Sequence, residues 1–485
     1  MRTDPACGTC RKKCRRCDRA RPVCNRCRVK GLHCEGYPPR FQFCLYERDP
    51  KSLRVLEEEP SLPPSSHEAS SGLAPHERES SASHADIAAT PYAGRLLAHF
   101  ETYLCDAQII ACPGVQNPFR TYILPLAHHH LGVLHCVLAL SACHLVSSGR
   151  DASPANETIA LEHRLAALQA LSALILEEEV VGLDAFKEEV TLVLVLLLIL
   201  HDITETGISA HGTHLTGAAA LCDKIAARTT PLSPFLTFLL AALSWLDLIR
   251  SFSGAEKLAF SPAVRLRVRD AHDLGLETLA GCPTAMFVRI GEVLALGKQY
   301  KLGLLDGEVF KAELAAAEAW FRAWDAERDA AAAAYPTADA AWGVLAHAFR
   351  HACLLRVLRF PDPFAVPCTD ARVRASVAAI LDAAAEVPWR SVLFKRLLFP
   401  LFMAGADTDS AHQMHYVRLC IEHIRRETGC QHGAMMELLE RVWAERRGEG
   451  EGVALRVGGA EARNVPWMEF TCSEMLERQH AYLFY

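Results

Sequence analysis

The chain has 485 residues, more than the usual single-domain span of about 100–200, so more than one folding unit is expected. Hydrophobic residues make up 51% and aromatic residues 8%, which excludes a mainly disordered chain and suffices for a sizeable core. The formal net charge of −6 hides an asymmetry, because residues 1–40 carry twelve Lys or Arg against Asp4, Asp18 and Glu35, a local +9 on a remainder of −15.

A compact basic head on an acidic body is the electrostatic footprint of a nucleic-acid-binding module, since phosphate neutralisation supplies most non-specific affinity. Eight of the nineteen cysteines fall within the first 44 residues, interleaved with these charges. The opening MRTDPACGT is polar and lacks the apolar stretch of a secretory signal, so reducing conditions and metal-bound thiolates are expected rather than disulfides. Cys7, Cys10 and Cys17 have spacings that Cys24, Cys27 and Cys34 repeat, CxxC followed by six residues and a third Cys. Each CxxC lets two thiolates grip one metal, and a short helix carries the chain to the third ligand. Two tetrahedral zinc ions need eight sulfur positions and the motif supplies six thiolates, so two sulfurs must bridge. The resulting cluster charge of −2 is offset by the surrounding Arg and Lys. So small a head has little apolar core and is expected to fold only with metal. The competing reading is a single zinc on Cys7, Cys10, Cys24 and Cys27, which leaves Cys17 and Cys34 spare.

These residues resemble the fungal zinc binuclear cluster family of transcription factors. The likeness covers residues 7–34 with all six ligands, the basic run Arg11, Lys12, Lys13, Arg15 and Arg16, the Cys17-Asp18 pair, Pro22, and Glu-Gly-Tyr ending at Tyr37. The resemblance implies two Zn2+ ions bridged by Cys7 and Cys24, and a basic helix after the first CxxC that enters the major groove of double-stranded DNA, typically over a CGG triplet. It further implies a nuclear regulator of RNA polymerase II transcription, not an enzyme, that meets the transcription machinery or co-regulators. The competing reading of function is an enzyme or small-molecule-binding helical protein for which the zinc head is a targeting module.

Three domains are expected: the DNA-binding head at 1–40, a disordered linker at 41–90, and an all-α regulatory domain at 91–485. From Glu57 to Thr90 the chain has eight Ser, four Pro and few large apolar residues, which cannot offset chain entropy by burial. Pro60, Pro63 and Pro64 interrupt the leucines between Leu53 and Leu62, so no adjacent coiled coil supports a homodimer, which stays open. From Pro91 the period becomes helical, with stripes at Leu96, Leu97, Phe100, Tyr103 and Leu104, at Leu161, Leu165, Leu168 and Ile175, and at Val417, Ile421 and Ile424 before Gly429. Prolines such as Pro125 and Pro400 are read as breaks between helices, and no alternating strand pattern is sustained. The longest apolar run, Val190 to Leu200, is too short for a membrane span and reads as a buried helix. Scattered cysteines such as Cys136, Cys143 and Cys353 read as small buried hydrophobes, and the group His128, His129, His130, His135 and His144 lacks the carboxylates of a zinc-enzyme motif. There is no GxSxG, no phosphate-cradling glycine loop and no kinase set. The body resembles, through Asn117-Pro118-Phe119, Pro125-Leu126-Ala127, LHCVLALSACHL, His214-Leu215, Gly217-Ala218 and Glu440 to Trp443, the helical regulatory domain of the same family.

Cys14 departs from that family, which usually carries Lys or His there to reach a base edge. Cysteine is a short, weak donor, so base reading should fall to Lys13 and Arg16. Cys14→Lys is expected to tighten binding to a CGG-type site by about 1–3 kcal/mol, the range for one good base contact, with metal content unchanged. A fall in metal content on that substitution would make Cys14 a ligand and remove Cys17 from the set.

Overall fold

The computed structural model describes residues 9, 10, 17, 24–32, 34, 83–209, 213–271, 275–325, 335–450, 466–471 and 481–482. The chain divides into two compact units, Met1–Glu79 and Ser80–Tyr485. In the first, Thr9 and Cys10 are helical and a second short helix, α1, runs Asn25–Val29.

The second unit is helical. It begins with α2 (His84–Ala88), inside the stretch expected as linker. The rest of that linker, 41–82, lies outside the described residues. A capping box joins Ser83 and Asp86, and Ile87 is buried with Leu96, Leu134 and Leu138, so a single large apolar residue in a polar sequence anchors this turn. Then follow α3 (Pro91–His99), α4 (Leu131–Ser147), α5 (Pro154–Val180), α6 (Ala185–Thr206), α7 (Thr213–Ala226), α8 (Pro234–Ser251), α9 (Pro262–Arg269), α10 (Thr284–Lys301), α11 (Gly307–Ala323), α12 (Ala341–Leu358), α13 (Ala371–Glu386), α14 (Leu398–Asp407), α15 (Ala411–Thr428) and α16 (Gly433–Arg447). The strand pairing among the described residues is one two-residue antiparallel bridge, Ile208 opposite Tyr482.

Helix α6 carries the Val190 to Leu200 run. Asp184 caps its start, accepting from the Lys187 amide at 2.9 Å, and Gly207 ends it in the left-handed region at φ 77°. All residues from Val190 to Thr204 are buried, which is what a helix apolar on every side requires in water. It packs against α4, α5, α7 and α8, while α14 contacts α12, α13, α15 and α16. Helices α5 and α8 are long and apolar enough to cross a membrane by length and composition, and α8 has 83% of its apolar window buried within the protein.

The stripes at Leu96, Phe100 and Leu104 and at Val417, Ile421 and Ile424 are buried as expected. The stripe on α5 is not. Leu161 and Leu165 are 56% and 45% exposed, and the face turned inward is Asn156, Ala160, His163, Ala167, Leu171 and Leu174. The approach to α4 is close at one point, where a Cβ built on Gly132 would stand 2.8 Å from the Ala170 Cβ. Small residues are required at that one approach, while His163, Leu171 and Leu174 fill the rest of the inward face. Pro125 and Pro400 also differ from expectation, since neither ends a helix: Pro125 lies in Leu124–Ala127, which continues the π-helical turn Phe119–Ile123, and Pro400 lies in the first turn of α14, where its missing N–H is tolerated.

Several polar groups within the body are paired, while others, such as the Ser141 and Ser244 hydroxyls, are buried without a hydrogen-bond partner among the described residues. His144 donates through Nε2 to the Thr428 carbonyl at 2.9 Å and faces His99 at 3.0 Å, and His135 lies 2.6 Å from His163. Burial, with a neighbouring histidine second, pushes His99 and His135 down to about 4, so both are neutral core groups. Cys136, Cys143 and Cys353 are buried, and desolvation raises their thiols far above the ordinary range. Arg359 and Asp407 form an ion pair in which neither side chain is exposed.

The corrected α5 face has a measurable consequence. Leu171→Ala should cost about 2–5 kcal/mol as a core cavity, whereas Leu165→Ala should stay within about 0.5 kcal/mol. Denaturant unfolding of the full chain checks the pair, and equal costs would contradict this packing.

Candidate metal centre and nucleic-acid interface

The second CxxC is built on a helix start. Cys24 has extended backbone at ψ 143°, and the helix of α1 begins at the next residue. Cys27 then falls in the first turn, and its amide donates to Cys24 Sγ at 3.3 Å, so both sulfurs lie on one side. The helix is closed by Gly31 in the left-handed region at φ 59°, where other residues are strained. The Gly31 amide reaches the Arg28 carbonyl at 3.3 Å and the Leu32 amide the Cys27 carbonyl at 2.9 Å, a double bond that folds the chain back and brings Cys34 to the sulfurs.

Two groups of three thiols result. Cys10, Cys17 and Cys24 lie within 4.8 Å of one another, and so do Cys24, Cys27 and Cys34. Cys24 belongs to both. Cys10 Sγ is 3.7 Å from Cys24 Sγ and 4.0 Å from Cys27 Sγ. With Zn–S bonds of about 2.3 Å, the edge of a tetrahedral site is about 3.8 Å, so the Cys10–Cys24 separation suits two sulfurs on one metal ion. Cys10, Cys17, Cys24 and Cys27 are all at most 4% exposed, and among the described residues Leu32 and Cys34 pack against them as partly buried neighbours. Clustered sulfurs with so little apolar cover fit a metal-filled interior far better than a hydrophobic one. The donor set is all thiol, the soft ligand that suits zinc. A single-zinc ribbon gives no reason for Cys17 and Cys34 to join these groups.

Five of the six expected ligands are thus brought together, and the sixth, Cys7, lies outside the described residues. So do Arg11, Lys12, Lys13, Arg15, Arg16 and Cys14. The structure adds a basic surface that the spacing argument had not singled out: Arg28 and Lys30 are exposed on and after α1, with Arg26 half-buried. Asn25 orients Arg28 through a 2.6 Å hydrogen bond. Their signal in the sequence is the second CxxC itself, which is followed by alternating basic residues.

In the helical body the residues of the family resemblance serve the fold. Asn117 accepts from the Phe119 amide at 3.0 Å and donates to the Cys105 carbonyl at 2.8 Å, and the buried Phe119 meets Phe238 edge to face. Trp443 donates from Nε1 to the Gly405 carbonyl at 2.8 Å, tying α16 to α14.

Comparison with protein families gives two matches. The fungal specific transcription factor domain matches residues 95–485, and the fungal Zn(2)-Cys(6) binuclear cluster domain matches residues 5–43. No curated protein and no solved structure matches the chain.

Because Cys24 stands in both thiol groups, Cys24→Ser should reduce bound metal per chain more than either Cys17→Ser or Cys34→Ser, each of which touches one group. Metal analysis of the purified full-length variants reads this directly, and equal losses for all three would contradict a shared sulfur.

Proposed function

From a chain that belongs to the fungal specific transcription factor family and carries that family's Zn(2)-Cys(6) head, we propose a two-zinc DNA reader in which one thiol cluster aims two basic segments at a duplex. The protein is a nuclear, non-catalytic regulator of transcription with a metal-chelating cysteine cluster. The finer reading is that Cys10, Cys17 and Cys24 hold one zinc and Cys24, Cys27 and Cys34 the other, with Cys7 closing both. The sharing of Cys24 between the groups carries it. The ions supply no reaction chemistry; they supply the interior of a head too small to have another.

The protein's own residues then do the recognition. Arg11, Lys12, Lys13, Arg15 and Arg16 follow the first CxxC and are assigned to the major groove, with Lys13 and Arg16 reading base edges. Arg28 and Lys30, exposed beside α1, are assigned to phosphates, which fix register without reading sequence. Contacts with co-regulators are assigned to the helical body.

Binding of the full-length protein to a duplex carrying a CGG triplet should fall steeply with salt, with a log–log slope of about −0.9 per phosphate neutralised. A chelator should abolish it while the helical circular-dichroism signal of the body persists. Sequences selected from a random DNA pool would report triplet and spacing together. Binding that survives chelation would overturn the zinc-dependent reading.

A further inference from the structure

A cavity of about 240 Å³ opens in the helical body, well away in sequence from the cysteine cluster. Its walls come from the turn after α3, the loop between α13 and α14, and the last turns of α15. One wall is an aromatic platform. The ring of Trp389 stacks on Phe394 at 5.4 Å and 23°, and His423 stands edge-on to both, 4.6 Å and 5.3 Å away. His423 Nε2 donates to the Trp389 carbonyl at 2.8 Å, which fixes the loop. Phe394 is 1% exposed but Trp389 is 42% exposed, so a rigidly held indole presents a free face to the opening. A platform held in place in advance stacks a flat ring at little cost in ordering.

The polar lining narrows the chemistry further. Lys395 gives its three N–H groups to the carbonyls of Asp106, Ala107 and Ile109 at 2.9, 2.9 and 3.0 Å, so its ammonium closes a helix end and is not offered to an anion. Asp106 is tied to Arg120 at 3.2 Å. With Asp106 paired and Lys395 spent on carbonyls, the charged lining that remains is Glu427 and Arg390, of opposite sign. The hydroxyls of Thr102, Tyr103 and Thr428 each donate to a backbone carbonyl, at 2.7, 2.6 and 2.8 Å; Thr428 also accepts from the Cys430 amide at 3.3 Å, so Thr102 and Tyr103 are the oxygens left as acceptors. We propose that this cavity is an effector site for a neutral, planar aromatic molecule of one or two rings that carries an N–H donor, stacked on Trp389 with its donor toward these hydroxyl oxygens. The site stands apart from the reading of the head, because it is assayed without DNA.

Isothermal titration calorimetry of the full-length protein against three compounds with one ring system tests it. Indole-3-acetamide should bind saturably at one site per chain, about tenfold or more tighter than the anionic indole-3-acetate and the cationic tryptamine. Trp389→Ala should weaken indole-3-acetamide about tenfold, whereas Trp389→Phe, which keeps a stacking ring, should stay within about threefold. Should Trp389→Ala lose its helical signal, Val392→Arg at the 47% exposed rim takes its place, with the same loss expected. No saturable binding at millimolar concentration, equal binding by a charged analogue, or indifference to both variants would overturn the proposal.

Discussion

The shared position of Cys24 is the constraint on which the head depends. Among its described residues the buried apolar set consists of cysteines, Cys10, Cys17, Cys24 and Cys27. Thiols do not cohere as leucines do, so the short helix, its Cys24 cap and the Gly31 turn have value chiefly in delivering sulfur to one place. A metal ion bound there would convert that convergence into stability, because ligand binding and folding would then be one equilibrium.

The body obtains its cohesion in the opposite way. α6 is buried on every side, and its neighbours wrap it with apolar faces. Two buried charges inside it are well partnered: Asp247 accepts from the amides of Ala259 and Phe260 at 3.0 and 2.9 Å and from Arg250 at 2.8 Å, and Arg359 meets Asp407. Breaking such a pair leaves an uncompensated charge, so these contacts fix how the helices join as well as how tightly.

Much was legible before any coordinates. The cysteine spacing identifies five described sulfurs that converge, the Val190 to Leu200 run identifies the central helix, and Gly429 ends α15 in the left-handed region at φ 71°. The apolar pattern of α5 favours Leu161 and Leu165 for the core, yet the packing turns them outward and seats Ala160, His163, Ala167, Leu171 and Leu174 inward. Composition likewise placed His84–Ala88 in a linker because one isoleucine among polar residues carries little weight in an average, although buried contact with Leu96 and Leu134 is enough to hold one turn.

The sequence by itself determined the cysteine cluster, the all-α class of the body and the family, because ligand spacing and helical periodicity are local properties that a neighbour does not alter. Only the tertiary structure decided that Cys24 belongs to both sulfur groups, which face of α5 turns inward, and that Trp389, Phe394 and His423 share one cavity wall. Each of these depends on distances between segments remote in the chain, and such distances are set by packing the helices together, which no local pattern records.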